Sequence, residues 1–317
     1  MKLAHFALAA LALLPLNAFA QAEYCSYIDN SAPLGEVRNQ GNVGWCYANA
    51  SADLLSYRMR NELGNQKLSA IFMALANNSF IRPSADSQAG TMRLSIEFGA
   101  RVHGLCLQSV EDQVMGMGPI HSIAEKVDAA IELKQLYNQG QKAGSLTNLH
   151  SKLEAYEKAG SILGTIPRGD LMRVFAGSDE KTFPLNLAKL ICKGHTVSFP
   201  AGIDVDSRVG FFGITVGTPL MRMIDRKLNE GNVVGIGYFA NFLTSDNGRK
   251  EGGHASVIVG RKRAADGTCL YKLRNSWGPG CYGYKAKYNT PERCERGNLW
   301  VEEAELNSNL TAITYID

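Results

Sequence analysis

The chain has 317 residues, of which 45% are hydrophobic, and its formal net charge is +3. Acidic and basic residues are interspersed, so no charged tract indicates a nucleic-acid or membrane-surface partner. The length is sufficient for one large domain, or for a domain of two lobes with a substantial hydrophobic core.

The first twenty residues have the layout of a secretory signal peptide. Lys2 is followed by the apolar run Leu3–Leu16 and by Ala18-Phe19-Ala20, a small-x-small pattern typical of cleavage sites. The apolar run is shorter than the roughly 20 residues that a membrane-spanning helix needs. We therefore expect cleavage after Ala20, one domain over residues 21–317, no membrane span, and a destination in the periplasm or outside the cell.

Seven cysteines follow the predicted cleavage position. Exported proteins form disulfides, and an odd number of cysteines leaves at least one thiol unpaired or bonded to another chain. Cys46 lies between two aromatic residues, directly after a loop rich in glycine. A buried structural thiol, half of a disulfide, or a nucleophile would each explain it.

The first half of the chain has helical periodicity. Apolar residues at 48, 52, 55, 59 and 63 recur every three or four positions, which predicts a helix that begins at Cys46 and stops near Gly64. Further helices are expected over residues 68–76, 91–102 and 221–228. A helical hairpin is expected over residues 122–156, where Ser122 and Glu125 form a capping box. Residues 160–218 show no clear pattern.

The second half of the chain is rich in β-formers. Four segments, 233–239, 254–263, 269–275 and 297–303, are separated by turn residues and predict strands. Helices followed by strands indicate an α+β fold with two lobes.

Three short motifs carry reactive side chains: QGNVGWC at 40–46, GGHA at 252–255 and NSWG at 275–278. A thiol becomes a strong nucleophile when it ionises, and a helix start and a nearby imidazolium both stabilise the thiolate of Cys46. His254 would supply that imidazole, and the carbonyl of the Asn275 side chain would orient it. Trp277 would shield their hydrogen bond from water. Gln40 and the Cys46 backbone N–H would bind an oxyanion.

Together these motifs resemble those of the papain-like cysteine peptidases. QGNVGWCYA is similar to the nucleophile motif of that family, GGHASVIVG to its histidine strand and LRNSWG to its asparagine motif. LSAIFMALANN resembles the segment after the nucleophile helix, and SQAGTMRLSIEFGARVHGLC resembles the stretch that binds substrate backbone. The resemblance covers residues 34–105 and 221–305.

The resemblance implies a helical lobe that carries Cys46, an antiparallel β-barrel-like lobe that carries His254 and Asn275, and a cleft between the lobes. Cys46 would be the nucleophile, His254 the general base and then acid, Asn275 its orienting partner, and Gln40 an oxyanion donor. The backbone of Gly90 and Gly253 would contact an extended protein or peptide substrate. The resemblance implies no cofactor and no metal, and we expect a monomer.

Three departures from the family pattern stand out. Cys46 and His254 are 208 positions apart, against about 130 to 150 in the family, which indicates a large, partly helical insertion at about 107–220. That insertion would be either surface decoration or a cap over the cleft. Residues 21–44 are too few for the usual inhibitory prodomain. Val43 replaces a cysteine that forms a disulfide in many members, so a different set of bridges is expected.

Six cysteines remain when Cys46 is excluded, and they allow 15 pairings. Cys281 with Cys294 is the predicted bridge, because it closes a short insertion after the Asn275 motif.

The signal peptide and the three motifs together predict an exported thiol-dependent endopeptidase. A transamidase, deamidase or exopeptidase on the same scaffold, and a catalytically silent binding protein, remain the alternatives.

Overall fold

The computed structural model describes residues 25–64, 66–81, 90–115, 166–179, 181–209 and 217–317, together with the helical positions 125, 127, 128, 130, 131 and 134. The predicted signal peptide, Ser122 of the capping box and most of the predicted hairpin lie outside the described residues. Among the described residues, no helix combines the length and the apolar composition needed to cross a membrane.

Helices dominate the first lobe. They are α1 (Cys46–Arg58), α2 (Ala70–Ile81) and α3, which runs from Met92–Leu94 through the π-helical Ser95–Ala100 to Arg101–His103. Every residue of α1 from Tyr47 to Tyr57 is buried, and its many alanines and serines allow close packing against neighbours. The helix begins at Cys46 as predicted but ends at Arg58. Irregular turns continue to Gly64, whose φ is +58°.

The described part of the insertion packs on this helical lobe. It contains α4 (Gln108–Met115), α5 (Arg168–Gly177) and α6 (Phe183–Ile191). Buried side chains of α5 and α6 belong to the same hydrophobic core as α1 and α2. A disulfide between Cys106 and Cys192 fastens the end of α6 to the strand that follows α3. Helices and strands therefore occur in the 160–218 region, where the sequence showed no clear pattern.

The second lobe is built on an antiparallel sheet. Its strands are β1 (Ile28–Asp29), β4 (Val205–Val209), β5 (Val234–Phe239), β6 (Gly253–Arg263), β7 (Cys269–Arg274), β8 (Cys294–Glu295), β9 (Asn298–Glu302) and β10 (Leu310–Ile316), while β2 (Leu105–Cys106) and β3 (Thr196–Val197) pair separately. The order is β4-β10-β5-β6-β7-β9-β8, and β1 pairs with β6. Three helices accompany the sheet: α7 (Gly217–Asn229), α8 (Asn241–Thr244) and α9 (Glu303–Asn309). The four predicted strands are confirmed as β5, β6, β7 and β9, and the sheet adds β1, β4, β8 and β10.

Two hydrophobic cores correspond to the two lobes, and α1 packs against β6 where they meet. Val257 and Val259 of β6 belong to the helical core, whereas Ile258 between them belongs to the other core. Alternate residues of one strand thus serve both lobes, as the two faces of a strand allow. This packing brings the beginning of α1 beside the beginning of β6. The chain is an α+β protein of two lobes, as predicted.

Candidate active site

Cys46 is the first residue of α1 and is half-buried. The other six cysteines form Cys25–Cys269, Cys106–Cys192 and Cys281–Cys294, so the predicted last bridge and the predicted unpaired thiol are both confirmed. The Cys46 thiol lies near β6, where the backbone N–H of Ala255, together with that of Tyr47, favours the thiolate form. Ala255 directly follows His254, so the thiol and the imidazole belong to adjacent parts of one site.

His254 and Asn275 are hydrogen-bonded. The Nε2 atom of His254 lies 2.7 Å from Oδ1 of Asn275, which follows the last residue of β7. The backbone N–H of Ser276 donates to the same Oδ1 at 2.8 Å, and Nδ2 of Asn275 donates to the Tyr284 hydroxyl at 3.0 Å. The Ser276 N–H can only donate, so the amide atom that it contacts is the oxygen. Nε2 of His254 therefore carries the proton, and Nδ1 is left as the basic nitrogen.

Aromatic rings enclose the imidazole. The Trp277 ring lies 4.9 Å from the His254 ring, and Tyr284 stacks on Trp277 at 5.5 Å. The ring of Tyr238 meets the imidazole edge-on at 5.6 Å. Asn275 is only 1% exposed in this setting, so its bond to His254 is kept from water. The sequence motif predicts the contact of Trp277 but neither tyrosine contact.

Gln40 is buried and is tied to the residue after Asn275. Its backbone N–H donates to the Ser276 carbonyl at 2.8 Å, and its Oε1 accepts from the Ser276 hydroxyl at 2.5 Å. One N–H of its Nε2 donates to the carbonyl of Val43 at 2.9 Å, within the loop that leads to Cys46. An amide nitrogen has two hydrogens, so one donor remains for a further acceptor.

Burial governs the ionisation of the two reactive groups. It raises the pKa of the Cys46 thiol, although the N–H groups of Ala255 and Tyr47 act in the opposite direction. It lowers the pKa of His254 to about 4, although the hydrogen bond to Asn275 opposes this shift. Each group taken singly is therefore held in its neutral form, because a lone charge is poorly solvated there.

The two glycines predicted to contact substrate flank these groups, and both are exposed. A Cβ on Gly90 would lie 2.5 Å from the ring of Tyr47, the residue after Cys46. Gly253 is the first residue of β6 and pairs with Phe239, and a Cβ there would meet no atom within 4 Å. Close packing on Tyr47 thus leaves no room for a side chain at position 90, whereas Gly253 faces open space beside His254.

One described position of the insertion reaches the loop before Cys46. The carboxylate of Glu125 accepts from the Asn42 side chain at 3.3 Å and from the Asn42 backbone N–H at 3.4 Å. Both residues are exposed. Whether the insertion caps the cleft or decorates the surface remains a prediction, because most of its residues 116–165 lie outside the described residues.

No family model matches the sequence, and no curated protein matches it. Among solved structures, digestive procathepsin L 3 of the Tenebrio molitor larval midgut is 13% identical with a TM-score of 0.50, over 96% of this chain and 71% of that one. Xylellain, a cysteine protease from Xylella fastidiosa, is 16% identical with a TM-score of 0.49, over 92% of this chain and 85% of that one. The proform of the Amb a 11 cysteine protease, a ragweed pollen allergen, is 12% identical with a TM-score of 0.48, and the match covers 92% of this chain and 65% of that one. The likeness to the procathepsin is one of fold, and the chain has a papain-like fold.

Proposed function

We propose that the protein is an exported cysteine peptidase that hydrolyses bonds within an extended protein or peptide substrate. One observation carries this proposal. The unpaired thiol of Cys46 lies at the start of a helix and near enough to Ala255 for the N–H of that residue to favour the thiolate. Ala255 directly follows His254, and Nε2 of His254 is hydrogen-bonded to Oδ1 of Asn275 at 2.7 Å. A thiol, a base and an orienting amide in this order are the parts that thiol-dependent acyl transfer requires.

The first half of the reaction forms a thioester. Nδ1 of His254 takes the Cys46 proton, and the thiolate attacks the carbonyl carbon of the scissile bond. The C–N bond then breaks, and the imidazolium gives its proton to the departing amine. In the second half His254 takes a proton from water, the hydroxide attacks the thioester, and the acid product leaves as the proton returns to Cys46.

Transfer of the proton from Cys46 to His254 forms both charges at once, which is easier than forming either charge alone. Burial disfavours either charge alone, but proton transfer places opposite charges side by side, and their attraction offsets the loss of solvation. The N–H groups at the start of α1 and of Ala255 add donors for the thiolate.

The oxyanion of the tetrahedral intermediate is bound by the second N–H of Gln40 Nε2 and by the backbone N–H of Cys46. Support comes from the fixed position of the Gln40 amide, whose oxygen is occupied by Ser276. A donor that is held before reaction needs no reorganisation during it, which is the basis of oxyanion stabilisation.

Substrate backbone binds beside the exposed Gly90 and Gly253, one next to Tyr47 and the other next to His254. Three disulfides fit a protein made for an oxidising compartment, which supports export by the predicted signal peptide. Extended peptides suit such a cleft because their backbone groups are all available for hydrogen bonding.

Product analysis tests the proposal. The protein, purified with its disulfides intact, is incubated with an unfolded protein substrate, and the products are sequenced by mass spectrometry. We expect internal cleavage that is lost in Cys46→Ala. Removal of terminal residues only, release of ammonia, or amine incorporation would replace the endopeptidase with one of the other reactions. Unchanged cleavage by Cys46→Ala would overturn the proposal.

A further inference from the structure

Two buried hydroxyl groups lie behind the bond between His254 and Asn275. The Ser256 Oγ lies 3.2 Å from Oδ1 of Asn275 and 2.9 Å from the hydroxyl of Tyr238. Ser256 is 2% exposed and Tyr238 is 1% exposed. Apart from Ser256, the residues of β6 from Ala255 to Val259 are apolar, so this pair is a polar exception in the strand.

Strand geometry explains why these groups meet. Ser256 is two residues after His254 on β6, so both side chains stand on the same face of the strand. Tyr238 is directly opposite His254 in the pairing of β5 with β6. The serine hydroxyl thus lies beside the imidazole and reaches the same amide oxygen.

The hydrogen atoms can be assigned along this chain. The oxygen of Asn275 is only an acceptor, so Ser256 uses its single proton to donate to it. The bond between the hydroxyls of Ser256 and Tyr238 must then be donated by Tyr238. Burial raises the pKa of Tyr238 well above its usual value, so that proton is retained at all working pH values.

We propose that Ser256 and Tyr238 are positioning residues that hold the Asn275 amide against Nε2 of His254. Asn275 follows the end of β7, and its oxygen receives three donors, from His254, Ser256 and the Ser276 backbone. Ser256 is the donor, and its hydroxyl is held in place because Ser256 lies on β6 and Tyr238, its hydrogen-bond partner, lies on the neighbouring β5. When His254 becomes an imidazolium, the amide therefore stays in plane to accept its Nε2–H.

This inference rests on the proposed peptidase activity for its kinetic test. Ser256→Ala removes one of the three donors to Asn275 and leaves the Tyr238 hydroxyl without its acceptor. We expect kcat to fall by about three- to tenfold, which corresponds to the net free energy of one neutral hydrogen bond, and KM to be unchanged. Ser256→Thr keeps the hydroxyl on a residue that suits a strand and should restore kcat to within about twofold.

A double-mutant cycle separates positioning from general packing. If Ser256 acts through the Asn275 side chain, Ser256→Ala has no further effect on kcat in an Asn275→Ala background. The same proportional loss in both backgrounds would overturn the proposal, as would an unchanged kcat in Ser256→Ala alone. Tyr238→Phe provides a second route, because it keeps the edge-on ring and removes only the hydroxyl that supports Ser256. It should lower kcat by less than Ser256→Ala.

A measurement without substrate keeps this inference distinct from the proposed function. The His254 Nε2 proton, bonded to Asn275, should give a low-field proton NMR resonance that exchanges slowly with water. Faster exchange in Ser256→Ala than in Ser256→Thr supports the positioning role, even if the unmodified protein cleaves no peptide. Equal exchange in both variants would overturn it.

Discussion

The carboxylate of Asp53 receives the Nε–H of Arg274 at 2.8 Å, and Arg274 immediately precedes Asn275. The other carboxylate oxygen of Asp53 accepts the Nε–H of Arg38 at 2.7 Å. Arg38 lies two residues before Gln40. Burial alone would raise the pKa of Asp53, but the two guanidinium groups hold it below its usual value. One buried carboxylate on α1 thus connects the helix of Cys46 to the segments that carry Gln40 and Asn275.

Asp53→Asn should strongly destabilise the protein. The change leaves two buried guanidinium groups with reduced compensation, and breaking a buried ion pair in this way costs about 3 to 5 kcal/mol. Urea unfolding of the disulfide-intact protein measures the loss. Asp170→Asn is the matched control, because its ion pair with Arg173 is exposed and should contribute under about 1 kcal/mol. Equal stability of the two variants would contradict this account of Asp53.

Glu111 should make stability depend on pH. Burial raises the pKa of Glu111 to about 7, although a hydrogen bond from Ser69 lowers it. Between the unfolded value of 4.5 and pH 7, the folded protein keeps a proton that the unfolded chain releases, so stability falls as pH rises. The loss reaches about 3 kcal/mol above pH 7.

Glu111→Gln removes this titration and retains an oxygen for Ser69. The variant should match the parent in thermal unfolding near pH 4.5 and exceed it at pH 8. A difference between variant and parent that is the same at both pH values would show that Glu111 does not titrate in this range.

His254→Ala should slow alkylation of Cys46 by iodoacetamide at pH 6. Burial raises the pKa of the thiol, so without the imidazole little thiolate forms, and the rate should drop by at least about tenfold. The difference in alkylation rate between the variant and the parent should shrink as the pH approaches 9. His103→Ala, a change on α3, is the control and should alkylate at the parent rate. A parent-like rate in His254→Ala at pH 6 would mean that His254 does not activate Cys46.

The two exposed glycines should respond differently to alanine. Gly90→Ala places a Cβ 2.5 Å from the Tyr47 ring, so we expect a loss of about 1 to 3 kcal/mol from overpacking. Gly253→Ala projects into open space, so stability should be unchanged and KM should rise. Unfolding curves and steady-state kinetics distinguish the two effects. An unchanged KM in Gly253→Ala would remove this residue from the substrate site.

The sequence predicted those parts of the site that local patterns specify. Cys46 at a helix start, the strand of His254 and the position of Asn275 all follow from short motifs and their periodicity. The Cys281–Cys294 bridge was predictable because its partners are 13 residues apart, whereas Cys25 and Cys269 are separated by 244. Pairings over that distance depend on the tertiary fold.

Other features depend on contacts between distant strands. Ser256 reaches Asn275 through the pairing of β6 with β7, and Tyr284 reaches it from a loop, so neither role has a local signature. Strand β10 inserts between β4 and β5 and completes the sheet from the end of the chain. Its partners β4 and β5 come much earlier in the chain, and this non-local pairing decides its structure.

The most direct test of the central claim is the reaction of the folded, disulfide-intact protein with an epoxysuccinyl-peptide inhibitor, followed by peptide mapping. Such a reagent needs a thiolate, a proton donor and a cleft that accepts a peptide, so it reports on the assembled site. We predict one adduct, on Cys46, that forms at a much lower rate in His254→Ala. Absence of an adduct on folded protein, while iodoacetamide still labels Cys46, would contradict a formed peptidase site.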